Sequence, residues 1–133
     1  MAHPGPRALD GFSILVVDDD GDARELLEMY LVAAGATVTT ASSAAEALER
    51  FTAFPPAVVV TDIAMPRLDG IWLLNAIRSL PEGPRVPVLA LTALAMPKDR
   101  AEIKAAGFDA HIIKPADLDE VAATIAVLVR RGM

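Results

Sequence analysis

The stretch Ile14-Leu15-Val16-Val17-Asp18-Asp19-Asp20 runs four apolar residues straight into three carboxylates. A continuous apolar run of that length, with no polar residue alternating through it, suits a strand covered on both faces, as in a parallel sheet. The same figure recurs downstream. Val58-Val59-Val60-Thr61 leads into Asp62, Val88-Leu89-Ala90-Leu91 into Thr92, and Ile112-Ile113 into Lys114. In an open parallel sheet the carboxyl ends of the strands form one rim, and ligands bind along it. A rim of three Asp, one Thr and one Lys suits a divalent cation and a phosphoryl group.

Helix-period segments separate these runs. The first strand covers about 13–17. A helix is predicted over about 20–34, with Ala23, Leu26, Leu27, Tyr30, Leu31 and Ala34 on its apolar face and Gly35 as the stop. A short second strand spans 37–40. Ser43-Ala44-Ala45-Glu46 has the spacing of a capping box and opens a second helix, which ends before Pro55-Pro56. The third strand is 57–61. A loop over 62–69 contains Pro66, and Gly70 leads into a third helix with Leu73, Leu74, Ile77 and Leu80 on its buried stripe. The fourth strand is 86–91. Pro97 opens the fourth helix, where its missing N–H costs nothing, and Gly107 closes it. The fifth strand is about 110–113, and Asp117 with Glu120 caps a fifth helix that runs to about Arg130. Five strands alternating with five helices over short connections predict an α/β fold. Its parallel sheet is doubly wound, with helices on both faces and right-handed crossovers.

Composition narrows the function. The 133 residues fit one domain with one sizeable core, and 53% hydrophobic content argues against disorder. A net charge of −6 without a basic patch argues against direct nucleic-acid binding. With no cysteine, thiolate catalysis and thiolate metal sites are excluded. No apolar run approaches the roughly 20 residues of a membrane span, and MAHPGPRALDG has no signal-type apolar stretch. A soluble, cytoplasmic chain is expected. Residues 1–10 read as a flexible lead or linker remnant, and 11–133 as the domain.

The rim residues divide the chemistry among them. Mg²⁺ takes one or two carboxylates and fills its octahedron with waters and phosphate oxygens. Asp19 and Asp62 are the candidate direct ligands, with Asp18 orienting a bound water. A carboxylate can also be a nucleophile and form an acyl phosphate. Lys114 would hold a phosphoryl oxygen as a point charge, and the Thr92 hydroxyl would donate to another. Taken singly, each residue has a plainer role: a helix cap for Asp18–Asp20, a turn residue for Asp62, a solvated charge for Lys114. Asp20 is read as such a cap. The set as a whole favours phosphoryl chemistry.

Two rivals fit less well. A calcium loop starting at Asp18 needs Gly and Glu at its sixth and twelfth positions, where Ala23 and Met29 stand. A phosphatase of the haloacid-dehalogenase type would use Asp18-Asp19-Asp20-Gly21 but needs a later acidic pair at a strand end. Asp117 and Asp119 stand at a helix start instead.

Four segments together resemble the response-regulator receiver domain of two-component signalling: Ile14–Asp20, Thr61-Asp-Ile-Ala-Met-Pro-Arg-Leu-Asp-Gly70, Leu89-Ala-Leu-Thr-Ala93 and Lys114-Pro115. The resemblance covers residues 12–130. It implies a flavodoxin-like (βα)₅ fold of strand order 2-1-3-4-5. Asp62 is then the phosphoacceptor, with Mg²⁺ held by Asp19, Asp62 and the Ala64 carbonyl and assisted by Asp18. The Lys114–Pro115 bond is expected to be cis. The implied donor is a histidine kinase or a histidine phosphotransfer domain. Phosphorylation would draw in Thr92 and reshape the face made by the fourth helix, fifth strand and fifth helix, a possible protein-binding surface. Such a domain assists its own phosphorylation and dephosphorylation and is not an enzyme acting on a separate substrate. The alternative is a receiver-like docking module that is not phosphorylated.

Finer points follow from the same resemblance. Gly107–Pro115, Leu91–Arg100 and Leu9-Asp10-Gly11 are similar to receivers at the C-terminus of hybrid histidine kinases. His111 stands where the family usually places an aromatic switch residue. Ala64 and Leu94 flank the rim and are apolar, so neither can hold an attacking water, and slow loss of the phosphoryl group is expected. Trp72 is expected to be partly exposed, and Met29, Met65 and Met96 to be packed.

Overall fold

The computed structural model describes residues 7–93 and 96–131. Five parallel strands form one sheet in the order β2-β1-β3-β4-β5. They are β1 (Ser13–Val17), β2 (Thr37–Ala41), β3 (Val58–Asp62), β4 (Val88–Thr92) and β5 (Ala110–Ile113). The helices are α1 (Gly21–Ala33), α2 (Ala44–Ala53), α3 (Gly70–Arg78), α4 (Pro97–Ala106) and α5 (Leu118–Arg131), with a 3₁₀ turn at Gly83–Arg85. The expected fold class and strand order both hold.

Alternation along each strand sends successive side chains to opposite faces. Ile14, Val16, Val58, Val60, Leu89 and Leu91 join Leu27 and Leu31 of α1 and Ile125 and Val129 of α5. Leu15, Val17, Val59, Val88 and Ala90 join Phe51 of α2, Leu73, Leu74 and Ile77 of α3 and Ile103 of α4. Both faces of the central strands are therefore dry. Each such Leu, Ile, Val or Phe contributes about 1.5–3 kcal/mol relative to an exposed position.

The helix starts follow their capping residues. The Asp20 carboxylate accepts from the N–H groups of Asp22 and Ala23, so it caps α1. The Ser43 hydroxyl accepts from the Glu46 N–H, while the Glu46 carboxylate reaches back to the Ser42 N–H. The box thus closes one residue earlier than the usual reciprocal pair. Asp69 caps α3 through the Trp72 N–H, and Asp117 accepts from the N–H groups of Asp119 and Glu120 at the start of α5. Gly107 ends α4 at φ 105, a left-handed turn that a side chain would strain.

Four expectations are corrected. The lead drawn over 1–10 extends too far, because Leu9 is fully buried in the α1/α5 core and its N–H donates to the Ala34 carbonyl. One leucine set among polar, Gly and Pro residues has no periodicity to betray it. On α1, Leu26 is 55% exposed, as is Met29 at 64%, because the sheet takes only the Leu27–Leu31–Ala34 side of the helix. Met96, expected to be packed, is also exposed, whereas Met65 is buried and Trp72 is partly exposed as expected.

Candidate functional site

The rim carries its residues from four neighbouring strands. Asp18 and Asp19 leave the end of β1, Asp62 is the last residue of β3, Thr92 the last of β4, and Lys114 follows β5 directly. The sheet order places β1, β3, β4 and β5 side by side, so residues far apart in sequence meet. Asp18 and Thr92 are 1% exposed and Asp62 8%. A carboxylate this deeply buried needs charge partners and hydrogen bonds.

Lys114 supplies the charge. Its Nζ lies 2.9 Å from Asp62 Oδ2 and 3.2 Å from Asp18 Oδ2. Asp62 Oδ1 accepts from the Ala64 N–H at 3.2 Å, and Asp18 Oδ1 from the Asp20 N–H at 2.9 Å. Both oxygens of each buried carboxylate are therefore engaged. Partial burial alone would lower the Lys114 pKa. The hydrogen bond and charge of Asp62, followed by those of Asp18, outweigh it, and the ammonium is held above its ordinary 10.5.

Asp19 differs from its neighbours. It is exposed, and among the described residues no hydrogen bond or ion pair to its side chain is found. One carboxylate oxygen from each of Asp18, Asp19 and Asp62 lies within 4.8 Å of the others. Three acidic oxygens gathered this closely, one of them without a counter-charge among the described residues, fit a hard divalent cation. The site thus brings together the expected acids and Lys114, with Thr92 one strand over from Asp62.

The Lys114–Pro115 bond is cis. The Lys114 N–H donates to the Thr92 carbonyl at 2.7 Å, which ties the chain after β5 to the end of β4. Ala64 reaches the site through its N–H, which donates to Asp62 Oδ1. His111 stands apart from the rim, half-buried within β5 and in register with Ala90, three residues before Lys114. Leu94 lies outside the described residues.

Two features had not been anticipated. Asp62 belongs to β3 itself. Gly70, at the start of α3, packs on its backbone, and a Cβ there would stand 2.6 Å from the Asp62 carbonyl oxygen. Arg24 Nη1 donates to the Asp18 carbonyl at 2.8 Å. In sequence, a glycine before a helix signals only a helix start, and an arginine six positions after Asp18 matches no spacing rule.

Comparison with known proteins agrees with this geometry. The family described as "Response regulator receiver domain" matches residues 14–126. A protein of Leptolyngbya boryana, "Uncharacterized 14.6 kDa protein in sodA1 3'region", is 43% identical over 111 residues, 84% of this chain and 85% of its own. The "Transcriptional regulatory protein PrrA" of Mycobacterium leprae is 41% identical over 118 residues, 89% of this chain but 50% of its own, so the chain spans about half of that regulator. The receiver domain of the sensor histidine kinase PA1611 from Pseudomonas aeruginosa PAO1, solved with a magnesium ion in its active-site cleft, superposes with a TM-score of 0.83. It is 28% identical, over 90% of this chain and 98% of that one. With its four motifs on one rim and its sheet in the order 2-1-3-4-5, the chain belongs to the receiver-domain family of phosphorylation-dependent two-component response regulators.

Proposed function

We propose that Asp62 is the phosphoacceptor of a Mg²⁺-dependent signalling switch, supplied by the phosphohistidine of a histidine kinase or histidine phosphotransfer domain. The observation that carries this reading is the Lys114 ammonium, 2.9 Å from Asp62 and 3.2 Å from Asp18, beside the carboxylate of Asp19, which has no hydrogen-bond or ion-pair partner among the described residues. A nucleophile, a counter-charge and a cation site share one rim.

Asp19, Asp62 and the Ala64 carbonyl would hold the ion directly, with Asp18 acting through a bound water. When bound, Mg²⁺ neutralises charge on the transferred phosphoryl group. The Asp62 carboxylate attacks phosphorus in line. The new O–P bond forms as the donor's N–P bond breaks, and its electron pair leaves with the imidazole nitrogen. Lys114 then pairs with a phosphoryl oxygen, and the Ala64 N–H remains to orient the aspartyl group. Thr92, at the end of the neighbouring strand, takes a second phosphoryl oxygen. Its movement is transmitted to α4, β5 and α5, the surface read by a partner, with His111 in the place of the usual aromatic.

Among the described residues no helix is long and apolar enough to cross a membrane; it is membership of the receiver-domain family that supports a cytoplasmic site of action. The domain acts on itself and not on a separate substrate.

Acetyl phosphate with Mg²⁺ tests this reading. Intact-mass spectrometry should show one added phosphate on the unmodified chain and none on Asp62→Asn, which keeps its fold by circular dichroism. No uptake by the unmodified chain would favour a docking module that is not phosphorylated. Stoichiometric uptake by Asp62→Asn would move the acceptor elsewhere.

A further inference from the structure

Asp18 is held at three points. Its Oδ1 accepts from the Asp20 N–H, its Oδ2 from Lys114, and its backbone carbonyl from Arg24 Nη1 at 2.8 Å. Asp19, the next residue, has no side-chain hydrogen bond or ion pair among the described residues. Its position is therefore set by the backbone on either side. The carbonyl that Arg24 grips belongs to the peptide joining Asp18 to Asp19. Rotation of that peptide plane would swing Asp19 relative to Asp62. On the far side of Asp19, the Asp20 side chain is committed to capping α1. Arg24 itself lies across the loop, with Nη2 3.6 Å from where a Cβ on Gly21 would stand. A planar guanidinium suits this task because it loses little freedom when it fixes one acceptor.

We propose that Arg24 is a positioning residue for the cation site: by holding the Asp18 carbonyl it fixes the peptide that carries Asp19 toward Asp18 and Asp62. This rests on the reading of those three acids as a Mg²⁺ site. The sign of the effect separates positioning from simple charge. A guanidinium near a cation site repels the cation, so removing the charge alone would tighten Mg²⁺ binding. Losing the clamp weakens it.

The experiment measures Mg²⁺ binding by isothermal calorimetry on the intact chain without phosphodonor. It compares unmodified protein with Arg24→Met, which keeps the aliphatic stem but cannot donate, and Arg24→Lys, which keeps one donor group. Support groups of metal ligands are typically worth about tenfold or more in affinity. Arg24→Met should weaken binding by about that factor, and Arg24→Lys should fall between the two. In metal-free protein, the amide ¹⁵N shifts of Asp19 and Asp20 should move in Arg24→Met, while cooperative unfolding is retained. Equal or tighter Mg²⁺ binding in Arg24→Met overturns the proposal. If that variant does not fold, equal or tighter binding in Arg24→Lys does the same. Absence of Mg²⁺ binding by the unmodified chain overturns the site reading itself, and this inference with it.

Discussion

Gly70→Ala offers a test of how tightly the acceptor is held. A Cβ at this position would stand 2.6 Å from the Asp62 carbonyl oxygen and 2.8 Å from Ile63 Cα. Ordinary Cβ contacts begin near 3.4 Å, so the closer approach is short by about 0.8 Å. Both opposing atoms are backbone, and the Gly70 N–H is bonded to the Ile63 carbonyl at 2.9 Å. No side chain can rotate away. Either α3 lifts off or the end of β3 shifts. Overpacking of this kind costs about 1–3 kcal/mol, and misplacing a reacting group by about 1 Å costs on the order of 100-fold in rate. Gly70→Ala should therefore melt about 4–12 °C lower, at about 4 °C per kcal/mol, and take up phosphate from acetyl phosphate about 10- to 100-fold more slowly at saturating Mg²⁺. Ile77→Val is the control. It loses one methyl on the same helix, costs about 0.5–1.5 kcal/mol, and should leave the rate unchanged. Rates come from intact-mass time courses and melting from circular dichroism. An unmodified rate in Gly70→Ala, with melting lowered as expected, would refute the idea that α3 buttresses the acceptor.

Three further outcomes are expected. Mg²⁺ should raise the melting temperature of the unmodified chain, because it binds the native rim and not the unfolded chain, and the rise should shrink or vanish in Asp19→Ala; an equal rise in both by scanning calorimetry would remove Asp19 from the site. Since the folded-state pKa of Lys114 is raised above its ordinary 10.5, its stabilising contribution is fully present below that pH and is lost as pH rises through the folded value. The ¹³Cε titration of Lys114 should move to lower pH in Asp62→Asn, and an unmoved titration would show that Asp62 does not hold the ammonium. Finally, His111→Ala should diminish phosphorylation-linked shifts in the amide resonances of α4 and α5; undiminished shifts would exclude His111 from transmission.

The strands and the rim were legible because each continuous apolar run ends in a residue capable of chemistry, and parallel topology gathers such ends. Helix caps were legible because Asp20, Ser43 and Asp117 use short-range spacing. What escaped depended on direction or on long range. Periodicity put Leu26 on the apolar arc of α1, but it does not say which edge of that arc meets the sheet. Leu9 joins the α1/α5 core from a segment with no apolar periodicity around it. The close approach of Gly70 to Asp62 exists only once α3 packs over the end of β3. Arg24 acts on a carbonyl, and a backbone acceptor leaves no mark in the sequence.

The Lys114 contacts have a consequence for how this chain acquires its site during synthesis. Lys114 lies 96 residues from Asp18 and 52 from Asp62. A growing chain therefore carries both acids long before their counter-ion emerges. Until β5 docks at its edge of the sheet, the rim is a cluster of like charges drawn into a drying core, which opposes closure of β1 on β3. Completion of the last strand relieves that repulsion. Docking of the last strand thus creates the charge balance at the acceptor, and a chain stopped short of residue 114 would lack it.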